Sequence, residues 1–305
     1  MNFTEEVKTE LLQIKDEPCC NNAGLSAYIK GAGTLDVKQG NIGFTLSSES
    51  VKILNYFAEI MQKQYSEEPY NVSIIKRIKA EFLSENTRGI LLNLGIIEAS
   101  IDGGVDVNFG IDKYVVENEC CKKAYVRGAF LASGSVTLPD GDKKIGYHLE
   151  FIFSSYTQAA DFCEILLDLD LMPKLIERKG YVVYFNSTKD VLQVLKVLGA
   201  QNALKKAKKV IKDRQNKNDS NRRYNCDMSN ISKQVNAFLK QKEAINIIET
   251  TIGLDKLSEE LKATCLARLS YPDSSLEDLA LSLNISKSCL NHRLRKIVEI
   301  SKNLS

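Results

Sequence analysis

CCNNAGLSAYIKGAGTLD, residues 19–36, returns 101 residues further on as CCKKAYVRGAFLASGSVTL, residues 120–138. At that one offset Cys19 and Cys20 align with Cys120 and Cys121. Ala27 aligns with Gly128, Gly31 with Ala132, Gly33 with Gly134, and Thr34 with Ser135. A pattern repeated at a single spacing marks two copies of one structural unit. Leu25, Ile29 and Leu35 in the first copy, and Val126, Phe130 and Val136 in the second, supply apolar positions. Ala27 with Gly31, and Gly128 with Ala132, are four apart and so share one face of a helix. Glycine inside a helix costs about 1 kcal/mol relative to alanine. Close contact between the two helix backbones is the natural compensation. Gly33 and Gly134 are expected to end the helices in the left-handed conformation that glycine tolerates.

The segments after each helix also match. In the second copy the spacing predicts a short strand over Ser135–Leu138, a turn at Pro139-Asp140-Gly141-Asp142, and a strand over Tyr147–Phe153. A helix over Thr157–Leu169 comes next, then strands over Met172–Arg178 and Tyr181–Asn186 around Lys179-Gly180, and a helix over Asp190–Leu198. The first copy gives the same order over Thr34–Val37, Ile42–Leu46, Val51–Tyr65, Asn71–Ile78, Lys79–Leu83 and Thr87–Leu94. The expected fold class is α+β, a duplicated αββαββα unit. Its halves span residues 1–112, with an extra N-terminal helix, and 113–200.

Residues 201–256 read as a basic helical linker. Gly199–Ile211 is expected to continue as a helix. DRQNKNDSNRRYNCDMSN, residues 213–230, has no apolar period and reads as a loop. Helical spacing returns over Ser232–Thr251. Net charge over the 305 residues is only +2, yet basic residues crowd this segment. Lys205, Lys208, Lys209, Lys212, Arg214, Arg222 and Arg223 stand among them, and between Lys205 and Lys240 only Asp213, Asp219 and Asp227 oppose the basic residues. Such a local excess points to a polyanion partner, with these seven side chains as accessory phosphate contacts.

Residues 257–305 form the last segment. Ser258–Leu269 reads as a helix, broken at Tyr271-Pro272-Asp273. Ser275–Leu283 is a short helix with Leu276, Leu279, Ala280 and Leu283 as its apolar stripe. Asn284-Ile285 is a tight turn, and Ser286 caps a third helix with Leu290, Leu294, Ile297 and Val298 inward. Short helix, turn and longer basic helix make a helix-turn-helix, an all-α DNA-binding module. Lys287, Ser288, Asn291, His292 and Arg295 share an outward stripe suited to a major groove. Asn291 suits adenine and Arg295 guanine or a phosphate. Arg293 and Lys296 suit backbone phosphates, and Ser275 and Ser286 stand at the helix starts.

The duplicated helix with its αββαββα units resembles the LAGLIDADG fold of homing endonucleases. The nine motif positions fall on Leu25–Gly33 and Val126–Gly134. The resemblance places the metal-binding acids of that family at Ala32 and Ser133, neither of which can be an anionic ligand. Asp36 and Asp140 lie beyond the helix ends and out of register. The nuclease chemistry, which holds metal ions beside the attacking and leaving groups, is therefore expected to be absent, with no catalytic residue assigned. Degenerate LAGLIDADG halves joined to a C-terminal helix-turn-helix resemble the WhiA family of bacterial sporulation and cell-division regulators. FTEEVKTEL, CCKKAYVRGAFLASGSV, YHLEF, LGAQNAL, NRRYNCDMSNISK and ISKSCLNHRLRKI carry that likeness. It implies a transcription factor that binds double-stranded DNA and affects cell division and chromosome segregation.

Other chemistry is weakly signalled. Zinc sites usually space cysteines by two to four residues, and adjacent cysteines are expected to point apart. No metal and no cofactor is assigned on that ground. His148 and His292 are the two histidines, and no histidine-based catalytic site is expected. Gly33, Gly103, Gly104, Gly134 and Gly141 form no phosphate loop. Lys143, Lys144 and Lys179 read as solvated turn residues. MNFTEEVKTELLQI carries acids rather than a basic leader and reads as a capped amphipathic helix. No stretch is long and apolar enough to span a membrane. The eight cysteines then suit a reducing compartment, the bacterial cytoplasm and its nucleoid. The N-terminal region is left open to DNA, a protein partner or a small ligand. Three rivals stand beside the regulator: a nuclease with relocated metal ligands, a nucleoid protein without sequence preference, and a helix-turn-helix used for protein contact.

Overall fold

The computed structural model describes residues 2–38, 41–74, 77–101, 104–139, 146–272 and 274–304. Asp140, Gly141 and Asp142 of the expected turn, with Gly103, Lys143, Lys144 and Asp273, lie outside them. Two compact units divide the chain, Met1–Asp213 and Arg214–Ser305. The first opens with α1 (Phe3–Leu11), where Asn2 and Glu5 exchange side-chain and backbone hydrogen bonds in a capping box. That exchange satisfies N–H groups a helix start otherwise leaves open.

The first repeat runs α2 (Pro18–Ala32), β1 (Gly33–Lys38), β2 (Asn41–Ser48), α3 (Val51–Tyr65), β3 (Asn71–Ile74), β4 (Ile78–Phe82) and α4 (Thr87–Asn93). A hairpin of β5 (Ile97–Ala99) and β6 (Val105–Val107) comes after it. Its three-residue strands are too short for an alternation to show in the sequence. The second repeat runs α5 (Glu119–Ser133), β7 (Ser135–Thr137), β8 (His148–Phe153), α6 (Tyr156–Asp168), β9 (Lys174–Glu177), β10 (Tyr181–Phe185) and α7 (Thr188–Leu198). The two antiparallel sheets share one strand order, β1-β2-β4-β3 and β7-β8-β10-β9. The αββαββα order is thus present twice. Tyr28, Phe44, Phe57 and Phe82 fill one half of the core, and Phe130, Phe151 and Phe162 the other. Burying side chains of this size contributes about 1.5–3 kcal/mol each.

α2 and α5 pack side by side and parallel. Their four N-terminal cysteine sulfurs lie together, and a Cβ added to Gly128 midway would overlap the backbone of Gly24. Near the C-terminal ends, a Cβ on Gly31 would stand 2.8 Å from that of Ala132. The small-residue faces do bring the backbones together, with Gly24 as a further partner. The helix ends differ from expectation. Gly33 has φ −99° and Gly134 φ −73°, so both are extended rather than left-handed. Space dictates glycine instead: a Cβ on Gly33 would lie 2.5 Å from the Ile29 carbonyl oxygen, and one on Gly134 would overlap Phe130.

α7 stops at Gly199, whose φ of 84° is left-handed, so the helix after it is not its continuation. That helix, α8, runs unbroken from Gln201 to Thr251. The loop expected over residues 213–230 is therefore helical. Ala203, Leu204, Ala207 and Ile211 are buried toward the first unit, the first three of them in its main core, and Ala244, Ile245 and Ile248 are buried within the second. Residues 215–230 are exposed on every side. An apolar period records burial, and a helix with no buried face shows none.

The second unit adds α9 (Glu259–Ser270), α10 (Leu276–Ser282) and α11 (Lys287–Leu304). Leu261, Cys265, Leu279, Ala280, Leu290, Leu294 and Ile297 close its core with the three α8 residues. Arg268 is buried there. Its Nε donates to Gln241 Oε1 at 2.9 Å, its Nη1 donates to the Ser274 carbonyl at 3.1 Å, and the guanidinium lies over Phe238. Burial lowers its pKa from the usual arginine value. The charge is tolerable because two acceptors and a ring face replace water.

Candidate nucleic-acid interface

The Ser275 hydroxyl accepts the Asp278 N–H at 3.2 Å and caps α10. Asn284 takes φ 54° in the turn, a left-handed conformation that asparagine adopts more readily than most residues. The Ser286 hydroxyl accepts the Cys289 N–H at 3.2 Å and starts α11. With Leu290, Leu294 and Ile297 buried, the opposite edge of α11 is fixed by helical period. Ser286, Lys287, Ser288, His292, Arg295 and Lys296 are exposed, and Asn291 is half-buried. Asn291 and Arg295 line one groove with Gln241, Glu299 and Lys302. Lys287 Nζ lies 3.3 Å from Glu277 Oε2, an exposed pair. Exposed pairs of this kind are weak and exchangeable.

Arg293 departs from expectation. Its side chain is 17% exposed and its Nη2 sits 3.1 Å from Glu260 Oε2. The guanidinium ties α11 to α9 rather than turning outward to a phosphate. One residue's rotation along the helix separates it from the outward stripe. Arg295 and Lys296 form no ion pair among the described residues.

In α8, Lys205, Lys208, Lys209 and Lys212 recur at helical spacing opposite the buried Ala203, Ala207 and Ile211, and all four are exposed. Arg222 and Arg223 are exposed as well, with Arg222 Nη1 3.9 Å from Asp219 Oδ1, and Arg214 is half-buried. The basic side chains thus cover a solvent-facing surface.

At the C-terminal ends of α2 and α5 stand Ala32 and Ser133. The Ser133 hydroxyl accepts the Ile152 N–H at 3.2 Å. Asp36 Oδ2 accepts the Thr45 hydroxyl at 2.9 Å across the sheet. Lys8 reaches the end of α5, where its ammonium donates to the Leu131 carbonyl at 3.2 Å. Burial pushes the Lys8 pKa down to about 8. A cation at a helix C-terminus is favourable. Lys8, Lys52 and Arg77 line the cavity at this end, opposed by Glu5 and Glu49. His148 Nε2 lies 2.9 Å from Glu150 Oε2, and Ser135 donates to the other oxygen of Glu150. Among the described residues no set of three acids or histidines converges at these helix ends.

The N-terminal ends hold a cluster that the sequence alone did not reveal. All four Sγ atoms of Cys19, Cys20, Cys120 and Cys121 lie within 4.8 Å of one another. This corrects the expectation that adjacent cysteines point apart. Neighbours on a helix do differ by about 100°, but here each pair straddles the seam between two parallel helices, so both sulfurs reach it. Cys20 and Cys121 are buried, Cys19 and Cys120 exposed. Burial pushes the Cys121 thiol up to about 11 and raises that of Cys20 further. The shared 101-residue offset was the available signal, since it places the four residues at equivalent points of two packed helices.

Known proteins match this chain along its whole length. A family model described as the WhiA C-terminal HTH domain matches residues 220–301, and one described as the WhiA LAGLIDADG-like domain matches residues 122–217. The Probable cell division protein WhiA of Bacillus cytotoxicus is 35% identical over 320 residues, covering 100% of this chain and 97% of that protein. Its namesake in Bacillus subtilis (strain 168) is 36% identical with the same coverage. The crystal structure of full-length DUF199/WhiA from Thermatoga maritima matches with a TM-score of 0.62 at 25% identity, covering 100% of this chain and 99% of that one.

Proposed function

The chain belongs to the WhiA family, and from that premise we propose that it is a sequence-specific DNA-binding regulator of cell division without nuclease activity. Its targets would be genes of division and chromosome segregation, and its place the nucleoid. The observation that carries this reading is the exposed edge of α11. Lys287, Ser288, Asn291, His292 and Arg295 stand along one face of a helix whose other face is locked into the core. A helix held that way presents a fixed set of donors and acceptors to a major groove. Lys296 and the lysines of α8 supply sequence-independent attraction to phosphate. In the LAGLIDADG-like region, Ala32 and Ser133 lack the carboxylates that two-metal cleavage requires, and Lys8 adds positive charge beside them.

The test is binding of the full chain to sites selected from random DNA, compared with scrambled duplex at physiological salt. The Asn291→Ala/Arg295→Ala variant is expected to lose preference for the selected site. Unchanged affinity and preference would remove the recognition-helix assignment. Equal affinity of the natural chain for all duplexes would instead support a nucleoid protein without sequence preference, which the exposed basic face of α8 favours. Incubating plasmid with Mg²⁺ or Mn²⁺ tests the nuclease reading, and cleavage there would overturn the non-enzymatic one.

A further inference from the structure

We propose that Cys19, Cys20, Cys120 and Cys121 form a tetrathiolate site for one divalent, thiophilic cation of the zinc class, clasping α2 to α5 at their N-terminal ends. Zinc bound by four thiolates is tetrahedral with Zn–S of about 2.3 Å, which sets neighbouring sulfurs about 3.8 Å apart. Here the Cys19 and Cys20 sulfurs are 4.0 Å apart and those of Cys120 and Cys121 are 3.9 Å apart. All four fall within 4.8 Å of one another, so a small contraction around a central ion completes the site. The separations are far beyond an S–S bond. They are also too tight for a polynuclear iron–sulfur cluster, where each thiolate binds its own region of a larger body.

Burial raises the Cys20 and Cys121 thiols, and the two helix starts act against that rise. Both pairs lie in the first turns of parallel helices, where the positive ends of two helix dipoles converge. Neither N-cap residue, Glu17 or Asn118, accepts a hydrogen bond from its helix through its side chain. The first-turn N–H groups therefore have no side-chain cap competing with an anionic sulfur. The site is half-open, with Cys19 and Cys120 exposed, which gives an ion a path in. Binding releases thiol protons to solvent and moves no electrons. Oxygen-preferring Mg²⁺ and Ca²⁺ are poor matches for four sulfurs. The ion would join the two repeats across 101 residues of chain, as a structural clasp within the first unit.

Cobalt(II) titration of the full, reduced chain tests this. The expected result is the visible absorption of tetrahedral cobalt thiolate, saturating at about one equivalent and abolished by zinc. Cys19→Ser/Cys120→Ser alters only the two exposed sulfurs, and circular dichroism would establish that it folds. It is expected to lose metal affinity by more than the roughly 10–100-fold that loss of an outer-shell partner costs. A reduced chain with all four thiols titratable but no cobalt spectrum overturns the proposal. So does a spectrum left unchanged by the double substitution, or a reduced chain that binds no cobalt and oxidises to disulfides across the two pairs.

Discussion

A Cβ on Gly128 would overlap the backbone carbonyl of Gly24, whereas a Cβ on Gly24 would meet only the Ala124 carbonyl oxygen at 3.5 Å. The two glycines at one helix crossing therefore do different jobs. Gly128 sets how closely α2 and α5 approach. Gly24 merely lies where they are close.

Gly128→Ala is expected to destabilise the first unit by about 2–4 kcal/mol, because backbone must move to admit the methyl group. Gly24→Ala has room for its methyl and gains helix propensity. It is expected to be neutral or to stabilise by up to about 1 kcal/mol. Denaturant unfolding of both variants decides this, and equal losses in the two would sink the asymmetry.

Arg293, Arg295 and Lys296 separate structural from DNA-facing roles. Arg293→Ala breaks the contact to Glu260 and is expected to cost on the order of 1 kcal/mol in stability, with the salt dependence of DNA binding unchanged. Arg295→Ala should leave stability alone and lose about 1–3 kcal/mol of discrimination at one base position. Lys296→Ala should weaken binding to all duplexes alike and lower the salt slope by about 1. If Arg293→Ala changes the salt slope as Lys296→Ala does, its inward assignment fails.

The division of these roles marks how far a sequence records its own packing. The repeat at 101 residues made the paired helices and both sheets legible, because alternation and small-residue spacing are local records of burial. The capping serines and the Asn284 turn were legible for the same reason. Arg293 was not, since its direction depends on Glu260, which only packing places beside it. The cysteine tetrad was hidden because its four sulfurs come from two segments, and each pair alone lacks a zinc spacing. The helical character of residues 215–230 was invisible because a helix exposed on all sides leaves no apolar period.

Lys8 and Lys30 give the chain a pH dependence with a definite sign. Burial pushes both down to about 8 from an ordinary 10.5. Below pH 8 each is charged in both folded and unfolded chains, and the folded state carries the full cost of burying the charge. Between pH 8 and 10.5 the unfolded chain binds more protons, so rising pH stabilises the fold. Lys8→Met and Lys30→Met remove the titration together with the hydrogen bonds to the Leu131 and Asn108 carbonyls. The natural chain should therefore gain on each variant, by about 2–3 kcal/mol, as pH climbs from 7 to 10, since each pH unit between the two pKa values contributes roughly 1.4 kcal/mol. Parallel stability profiles across that range would contradict the burial of the charged amines.

The exposed stretch of α8 is expected to be the least protected part of that helix. Ala203, Leu204, Ala207 and Ile211 anchor one end and Ala244, Ile245 and Ile248 the other. Between them, residues 215–230 bury nothing, and polar helices without packing are marginal in water. Local contacts such as Ser220 Oγ to the Asn216 carbonyl and Arg222 to Asp219 add only tenths of a kcal/mol. Amide hydrogen exchange over residues 215–230 should therefore run orders of magnitude faster than over 203–211, because local opening there exposes no core. Asn218→Ala and Ser220→Ala replace weak helix formers and should slow it, each by about 0.5 kcal/mol of local stability. If DNA lies along the basic side chains of this segment, adding duplex should slow exchange over residues 205–223 as well as over the start of α11. Protection confined to α11 would restrict the interface to the helix-turn-helix and leave the lysines of α8 as distant electrostatic attraction.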